Sequence, residues 1–440
     1  MDPLLNALRS TLDFDAPGRF YVAYSGGVDS TVLLHAIAAI CNDRTPLVAI
    51  HVDHRLHDTS AQWAKHCTDA AMALGVRSLS FIAEDAKRAG ESIETWARRC
   101  RYSIFARQLR SDDVLLTAHH QDDVVETFLL QLLRGAGPHG LSGIASHQPF
   151  AEGTLVRPLL GVSRAQILDY ARSHELNWIE DPSNANTQHN RNYIRHEIMP
   201  ALERRWPAAA DRIVHAVSLQ RQAASILDGT ADEKITQACS SGIRQISTDV
   251  FSNLDPSRQR WILKRWIARA NYPIPDSAHL EQMLNVLGAK RDAQPTVSWK
   301  GAQLRRYRNS LYLTQIDEQP VSGFSASWDP CFPLQLGPGK LTARQVLGRG
   351  VSATLVQEEG AILKYRLGGE RCHPVGRAHS QTLKRLFQHW GIPPWERDRT
   401  PIIYIGGNIA AIAGLCVCLP FGAKPGEPGW DISWLHETEL

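Results

Sequence analysis

Four polar clusters carry residue types suited to chemistry. The first is Ser25-Gly26-Gly27-Val28-Asp29-Ser30. Backbone N–H groups at a glycine turn that opens a helix form an anion site, and the helix dipole adds partial positive charge. Gly26 and Gly27 can adopt φ > 0 and let phosphate oxygens reach the backbone, with the Ser25 and Ser30 hydroxyls as further donors. Asp29 has two readings, a ligand for a divalent cation near phosphate or a helix cap. The second cluster, His51 to Asp58 (HVDHRLHD), reads as the lining of a catalytic site. A zinc centre is disfavoured there, because no cysteine and no downstream HxxxH partner accompanies it. The third is His119-His120 followed by Asp122, Asp123 and Glu126 in the first turns of a helix. Asp122 and Glu126 are four apart and share a face. Such carboxylates suit Mg2+ or an amino group, and capping accounts for at least one of them. The fourth, Glu180 to His196, places Arg191 and Arg195 one turn apart, where both can face an anion.

The elements that position these clusters follow from hydrophobic period. Apolar runs at Arg19–Tyr24, Leu47–Asp53, Ser78–Ala83 and Val114–Ala118 read as buried strands. Helical patterns lie between and after them, at Asp29–Cys41, Ser60–Leu74, Ser92–Leu109 and Asp122–Arg134. The alternation predicts an α/β, doubly wound parallel sheet of Rossmann-like type, with helices on both faces. Ligands of such sheets bind beyond the carboxyl ends of the strands, and the first three clusters fall there. After about Pro200 the pattern changes to a mainly helical middle region, including Ala201–Leu227 and Pro256–Ala270, with strands again at Pro295–Gln315. The expected organisation is a catalytic domain over 1–205, a middle domain over 206–320, a Pro/Gly/Ser-rich linker over 321–360 and a small α+β domain over 361–440.

The later regions carry basic stripes: Arg258, Lys264, Arg265 and Arg269; then Arg305, Arg306 and Arg308; then Lys384 and Arg385 with Arg397 and Arg399. Each alone is an ordinary solvated face, but three together beyond a phosphate-binding domain favour a nucleic-acid partner. The chain has 440 residues, which predicts two to four domains, and its 43% hydrophobic and 21% charged shares mark a globular protein. Its eight cysteines are scattered without a CxxC pair, which points to a reducing compartment and away from structural zinc or an iron–sulfur cluster. No apolar run of membrane-spanning length and no signal peptide is visible, so the expected location is cytoplasmic, with no membrane partner.

SGGVDS after a strand resembles the PP-loop of the ATP pyrophosphatases. The resemblance implies a grip on the β,γ-pyrophosphate of ATP. The missing Walker A lysine fits attack at the α-phosphate. SGGVDS, HVDHRL, HHQDDVVETFLLQLLRGAG and EDPSNxxxxxxRNxIRH, with ETWARRCRY (Glu94–Tyr102) and Tyr365–Tyr404, together resemble the tRNA(Ile)-lysidine synthetase family. That family's reaction adenylates O2 of the wobble cytidine in a CAU anticodon, and lysine then displaces AMP. By resemblance, Ser25, Gly26, Gly27, Val28, Asp29 and Ser30, with His51, Asp53 and His54, bind ATP. Asp29 is also the Mg2+ candidate, and Arg101 and Arg195 neutralise phosphate charge. Asp122, Asp123 and Glu126 hold or deprotonate the lysine amine. Arg191, Arg265, Arg269, Arg305, Arg306, Lys384 and Arg385 are the expected contacts to tRNA(Ile). His57 departs from the pattern, standing where the family often has arginine. The oligomeric state stays open, with a homodimer as one option. Three rival readings remain: a tRNA thiolase, a small-molecule synthetase of the NAD or GMP type, and an RNA- or nucleotide-binding protein without chemistry.

Overall fold

The computed structural model describes residues 2–15, 18–41, 45–56, 59–239, 242–289, 294–316, 323–337 and 339–436. These form two compact units, 1–226 and 227–440. The first unit begins with α1 (Pro3–Thr11), β1 (Phe20–Ala23), α2 (Val28–Ile40), β2 (Leu47–Asp53), α3 (Ser60–Ala73) and β3 (Arg77–Ile82). It continues with α4 (Ile93–Gln108), β4 (Val114–Leu116), α5 (Gln121–Leu133), the short α6 (Pro138–Leu141), β5 (His147–Phe150), β6 (Gly153–Val156) and α7 (Arg164–Ser173). The strand order is β3-β2-β1-β4-β6-β5. All neighbours are parallel except β5 and β6, whose antiparallel hairpin closes one edge. The expected parallel sheet therefore carries an antiparallel edge strand.

Two-residue alternation sends successive side chains to opposite faces. Phe20, Val22 and Ala49 join a core with residues of α1, α2, α3 and α7. Tyr21, Val48, Ile50 and Leu115 join another with Phe105 of α4. Both faces are thus covered, as the near-continuous apolar strands require. Fully buried residues such as Val22, Leu33, Ile37 and Leu116 each stabilise the unit by about 1.5–3 kcal/mol. Beyond α7 come α8 (Asn190–Tyr193), a π turn (Ile194–Ile198) and α9 (Met199–Arg205). The long α10 (Ala209–Ala238) runs across the boundary between the units, so the division falls within a helix and later than the expected one at 205.

In the second unit, β7 (Gln245–Ser247), α11 (Pro256–Arg269), α12 (Ser277–Leu287), β8 (Thr296–Trp299), β9 (Ala302–Tyr307) and β10 (Ser310–Gln315) surround the buried Trp266. The remaining elements are β11 (Ser325–Trp328), β12 (Leu334–Leu336), β13 (Gly339–Leu347), β14 (Val351–Ser352), α13 (Ala353–Glu359), β15 (Ala361–Lys364), β16 (Arg371–Cys372), β17 (Gln381–Thr382), α14 (Leu383–Trp390), α15 (Pro394–Arg397), β18 (Ile402–Ile405), β19 (Asn408–Ile412), β20 (Cys416–Val417) and β21 (Pro428–His436). They build sheets of order β11-β15-β18-β19-β20 and β12-β13-β21-β14. The stretch expected as a linker, 321–360, is in its described part built into these sheets. β11 pairs with β15, and β13 pairs with β21 over its whole length. The glycines and prolines there mark turns, and the distant partner of β13 leaves no local trace.

Candidate active site

The phosphate turn lies between β1 and α2, where the strand hands Tyr24 N–H to the Ile50 carbonyl at 2.8 Å. Gly26 takes φ +84, and an added Cβ would stand 2.8 Å from Cys67 Sγ. Gly27 does not use that freedom: its φ is −74, and it serves as the N-cap of α2 without a side-chain bond. The serines brace the turn, with the two hydroxyls 3.1 Å apart and Ser30 Oγ donating to Gly27 O at 3.0 Å. The Ile179 N–H donates to Gly26 O at 2.8 Å, tying the turn to the segment before the fourth cluster.

Asp29 does not cap the helix. Its Oδ1 is buried with no hydrogen-bond partner, and its Oδ2 stands 3.8 Å from His120 Nε2. Burial raises the affinity of this carboxyl for its proton, against the opposing charges of His120 and Arg164. A buried carboxylate oxygen without a hydrogen-bond partner among the described residues, beside an anion-binding turn, suits a hard divalent cation.

His120, 1% exposed, is the hub of the third cluster. It caps α5: its Nδ1 accepts the Asp122 N–H at 3.3 Å, and its own N–H donates to Asp123 Oδ2 at 3.0 Å. Asp123 thereby takes the expected capping role. With Nδ1 accepting, the His120 proton sits on Nε2, between Asp29 and Asp123 Oδ2 at 3.8 and 3.7 Å. Burial opposes a charge on His120, yet Asp122, Asp123 and Asp29 outweigh it and raise its pKa. His119 is the opposite case: burial chiefly, with Arg157, Arg191 and Arg98 acting in the same direction, pushes it down to about 4.

Glu126, one turn further, is 1% exposed. Arg195 Nε donates to its Oε1 at 2.7 Å, and Arg191 Nε stands 3.7 Å from its Oε2. Oε2 has no hydrogen-bond partner. Burial raises the proton affinity of Glu126 despite Arg195. Asp122 moves the other way: burial raises it, but the His120 contact, the Arg164 N–H at 3.2 Å and Arg195 carry it below its usual value. Arg191 also donates to Thr127 Oγ1 at 3.0 Å, which binds it to α5.

The second cluster sits at the end of β2. His51 donates Nδ1–H to Tyr24 O at 3.0 Å, and burial keeps the ring neutral by lowering its pKa. Asp53 Oδ1 accepts the Arg55 N–H at 2.7 Å. Both ring nitrogens of His54 are buried without partners, and burial, helped by Arg101, pushes it down to about 4. Arg101 forms no ion pair among the described residues, and burial disfavours its charge. A desolvated guanidinium without a carboxylate is poised for an anion. His57 lies outside the described residues.

Several groups went unread in the sequence. His120 was seen only as half of a doublet, although its position just before a carboxylate-rich helix start was the available signal. Arg157 is buried, donates to Ala145 O at 2.7 Å and acts electrostatically on His119. Nothing in its VRPLL context marks it. Arg98 lies over the Tyr102 ring at 4.6 Å.

The basic stripes fare differently from one another. Arg306 is a correction: it is 8% exposed, and its guanidinium donates to Val286 O, Leu287 O and Ala289 O at 2.9, 2.7 and 2.7 Å. It closes the carbonyl end of α12, with its guanidinium turned inward. Arg265 is bidentate to Asp232 at 2.8 and 2.7 Å, and Arg269 reaches the same carboxylate at 3.3 Å. Arg305 stacks on Trp395 at 5.0 Å. Lys384 and Arg385 are exposed on α14.

Residues 4–202 match the PP-loop domain, 247–312 the TilS substrate binding domain and 361–434 the TilS substrate C-terminal domain. The chain is 39% identical to the tRNA(Ile)-lysidine synthase of Coxiella burnetii over 94% of this chain and 92% of that protein. It is 40% identical to the tRNA(Ile)-lysidine synthase of Alkalilimnicola ehrlichii over 92% of each. A solved structure, the U34-tRNA thiolase NcsA from Methanococcus maripaludis, is similar over 50% of this chain and 78% of that one, at 18% identity and a TM-score of 0.42.

Proposed function

The chain belongs to the tRNA(Ile)-lysidine synthase family, and from that premise we propose that it joins free L-lysine to C2 of the wobble cytidine of a tRNA(Ile) with a CAU anticodon. In the first step cytidine O2 bonds to the α-phosphorus of ATP and pyrophosphate leaves. In the second a lysine amine bonds to C2 and AMP leaves. The product pairs with A instead of G, so the tRNA reads AUA as isoleucine instead of AUG as methionine.

One observation carries this reading: among the described residues, Asp29 Oδ1 and Glu126 Oε2 are buried carboxylate oxygens without hydrogen-bond partners, in the first two turns of the helices that follow the adjoining strands β1 and β4. The first suits a metal cation beside the phosphate turn and the second a lysine ammonium. Asp29 would hold Mg2+, which would supply charge neutralisation for the pyrophosphate. The backbone of Ser25 to Ser30 orients the phosphates, His51 offers Nε2 as an acceptor, and the bare His54 nitrogens are free for the nucleotide. Arg101 forms no ion pair among the described residues, which suits it to meet charge on the phosphate. An ammonium cannot attack, so its proton must first go to a base. Glu126, with its raised proton affinity, is suited to take it, and Asp122 and Asp123 to hold the cation before it does. Lys384 and Arg385 are suited to the tRNA backbone.

The test supplies the protein with ATP, Mg2+, radiolabelled lysine and tRNA(Ile) bearing CAU. Label is expected in the anticodon and to resist the mild base that strips aminoacyl esters. Label at the 3′ end overturns the reading. Asp29→Asn is expected to abolish labelling while tRNA affinity stays within about twofold, because the swap keeps the side chain's shape and removes a single charge.

A further inference from the structure

The sheet holding β18, β19 and β20 buries a different core on each face. Ile403, Ile405, Ala411 and Val417 face one cluster, and Ile402, Tyr404, Ile412, Cys416 and Cys418 face the other. Cys416 and Cys418 are two residues apart and so project together, while Val417 between them projects away. The chain after β16 is stitched to this same segment. The Val375 N–H donates to Val417 O at 2.9 Å, and the Leu419 N–H to His373 O at 2.7 Å. That pairing brings Cys372 onto the cysteine face, and all three sulfurs lie within 4.8 Å of one another. None of the three is in a disulfide.

A lone buried cysteine packs as a small apolar residue. Packing alone does not ask three to meet sulfur to sulfur, when alanine or valine fills such a face as well. Three thiolates around one zinc ion, each at about 2.3 Å, stand roughly 3.8–4.0 Å apart, which the observed separation accommodates. His373 donates Nε2–H to Arg377 O at 2.6 Å and is not among the converging donors.

We propose that Cys372, Cys416 and Cys418 form a thiolate site for a thiophilic d10 cation, Zn2+, with the fourth position open to water beside the half-buried Cys416. Among the described residues this is the one group of three or more His, Cys, Asp or Glu side chains whose ligand atoms converge so closely. The ion pins β16 and, through β17, the helix α14 with its exposed Lys384 and Arg385 to the sheet. The role is to fix a binding surface, and the chemistry of the nucleotide site does not involve it. The motif escapes a search for CxxC because two ligands are spaced CxC and the third lies 44 positions earlier (416 − 372).

The full chain, stripped by chelator under reducing conditions, is titrated with Zn2+ alone and separately with Co2+. One ion per chain, a near-ultraviolet thiolate-to-cobalt charge-transfer band and a raised melting temperature for the second unit are expected. Cys416→Ser, at the most accessible ligand, should weaken Zn2+ binding by about 100-fold or more, since even outer-shell changes cost about 10–100-fold. Cys331→Ser, exposed and elsewhere, should leave it unchanged. The cobalt band is read on the unaltered protein, so a misfolded variant does not remove the test. Absence of that band, or a disulfide among the three in the purified protein, overturns the proposal. Unchanged affinity in folded Cys416→Ser and Cys372→Ser overturns it equally.

Discussion

Gly26 and Gly27 look interchangeable in the sequence, yet alanine should affect them differently. At Gly26, φ is +84, and the new Cβ would meet Cys67 Sγ at 2.8 Å and Ile179 Cδ1 at 3.0 Å. A left-handed backbone costs an L-residue about 1–2 kcal/mol, and overpacking a buried site costs about 1–3 kcal/mol more. Gly26→Ala should therefore destabilise the first unit by about 2–5 kcal/mol, lowering its melting temperature by roughly 4–20 °C. At Gly27, φ is −74, and the nearest atoms to a Cβ are Ser25 Oγ at 3.6 Å and Ile179 O at 4.0 Å. Gly27→Ala should change stability by no more than about 0.5 kcal/mol. Calorimetric melts, resolving the unit over 1–226, measure both. A Gly26→Ala/Cys67→Ala cycle separates the terms. Removing the sulfur should recover the clash, about 1–3 kcal/mol, and leave the backbone penalty. Equal losses at the two glycines, or no coupling between residues 26 and 67, would refute this account of the turn.

Acid should expose the buried histidines. His54 and His119 are both pushed down to about 4, so between about pH 6.5 and 4 the unfolded chain binds more protons and stability falls as pH falls. For His54 alone that loss reaches up to about 2 kcal/mol at pH 5, so His54→Phe should gain by that much relative to the parent between pH 7 and pH 5 in urea melts. Asp29 and Glu126, both raised, act oppositely on acidification and cancel in this comparison. In the second unit, Arg306→Met strips three carbonyls of their donor and should cost about 2–4 kcal/mol. The tRNA affinity of its folded fraction should not change, as filter binding would show. A Lys384→Ala/Arg385→Ala variant should behave inversely, melting normally and lowering the salt slope of tRNA binding by roughly 2.

Much of the first unit was legible because its information is local. The bounds of β2 were readable from a continuous apolar run, and those of α2, α3, α4 and α5 to within a residue or two from their period. The rule that ligands sit at carboxyl strand ends then brought residues 25–30, 51–54 and 119–126 together without coordinates. The second unit was less legible. β13 takes β21 as its partner, about ninety positions away, and a strand of modest hydrophobicity shows no period until its partner defines its faces. Arg306 was illegible for a related reason. An arginine on a surface and one closing a buried helix end look alike in composition, and only the carbonyls of α12 distinguish Arg306.

The sequence by itself determined the architecture of the nucleotide domain, the anion-binding turn and the chemical types gathered around it, because strand period, helix starts and glycine turns are set by neighbouring residues. Tertiary structure decided which of those groups are bare. Among the described residues, Asp29 Oδ1, Glu126 Oε2 and both nitrogens of His54 lack hydrogen-bond partners, while Asp123 uses an oxygen in capping and Arg265 is held by Asp232. It also decided that three scattered cysteines meet. Desolvation and convergence depend on what the rest of the chain places against a side chain, and that is settled only when segments far apart in sequence pack together.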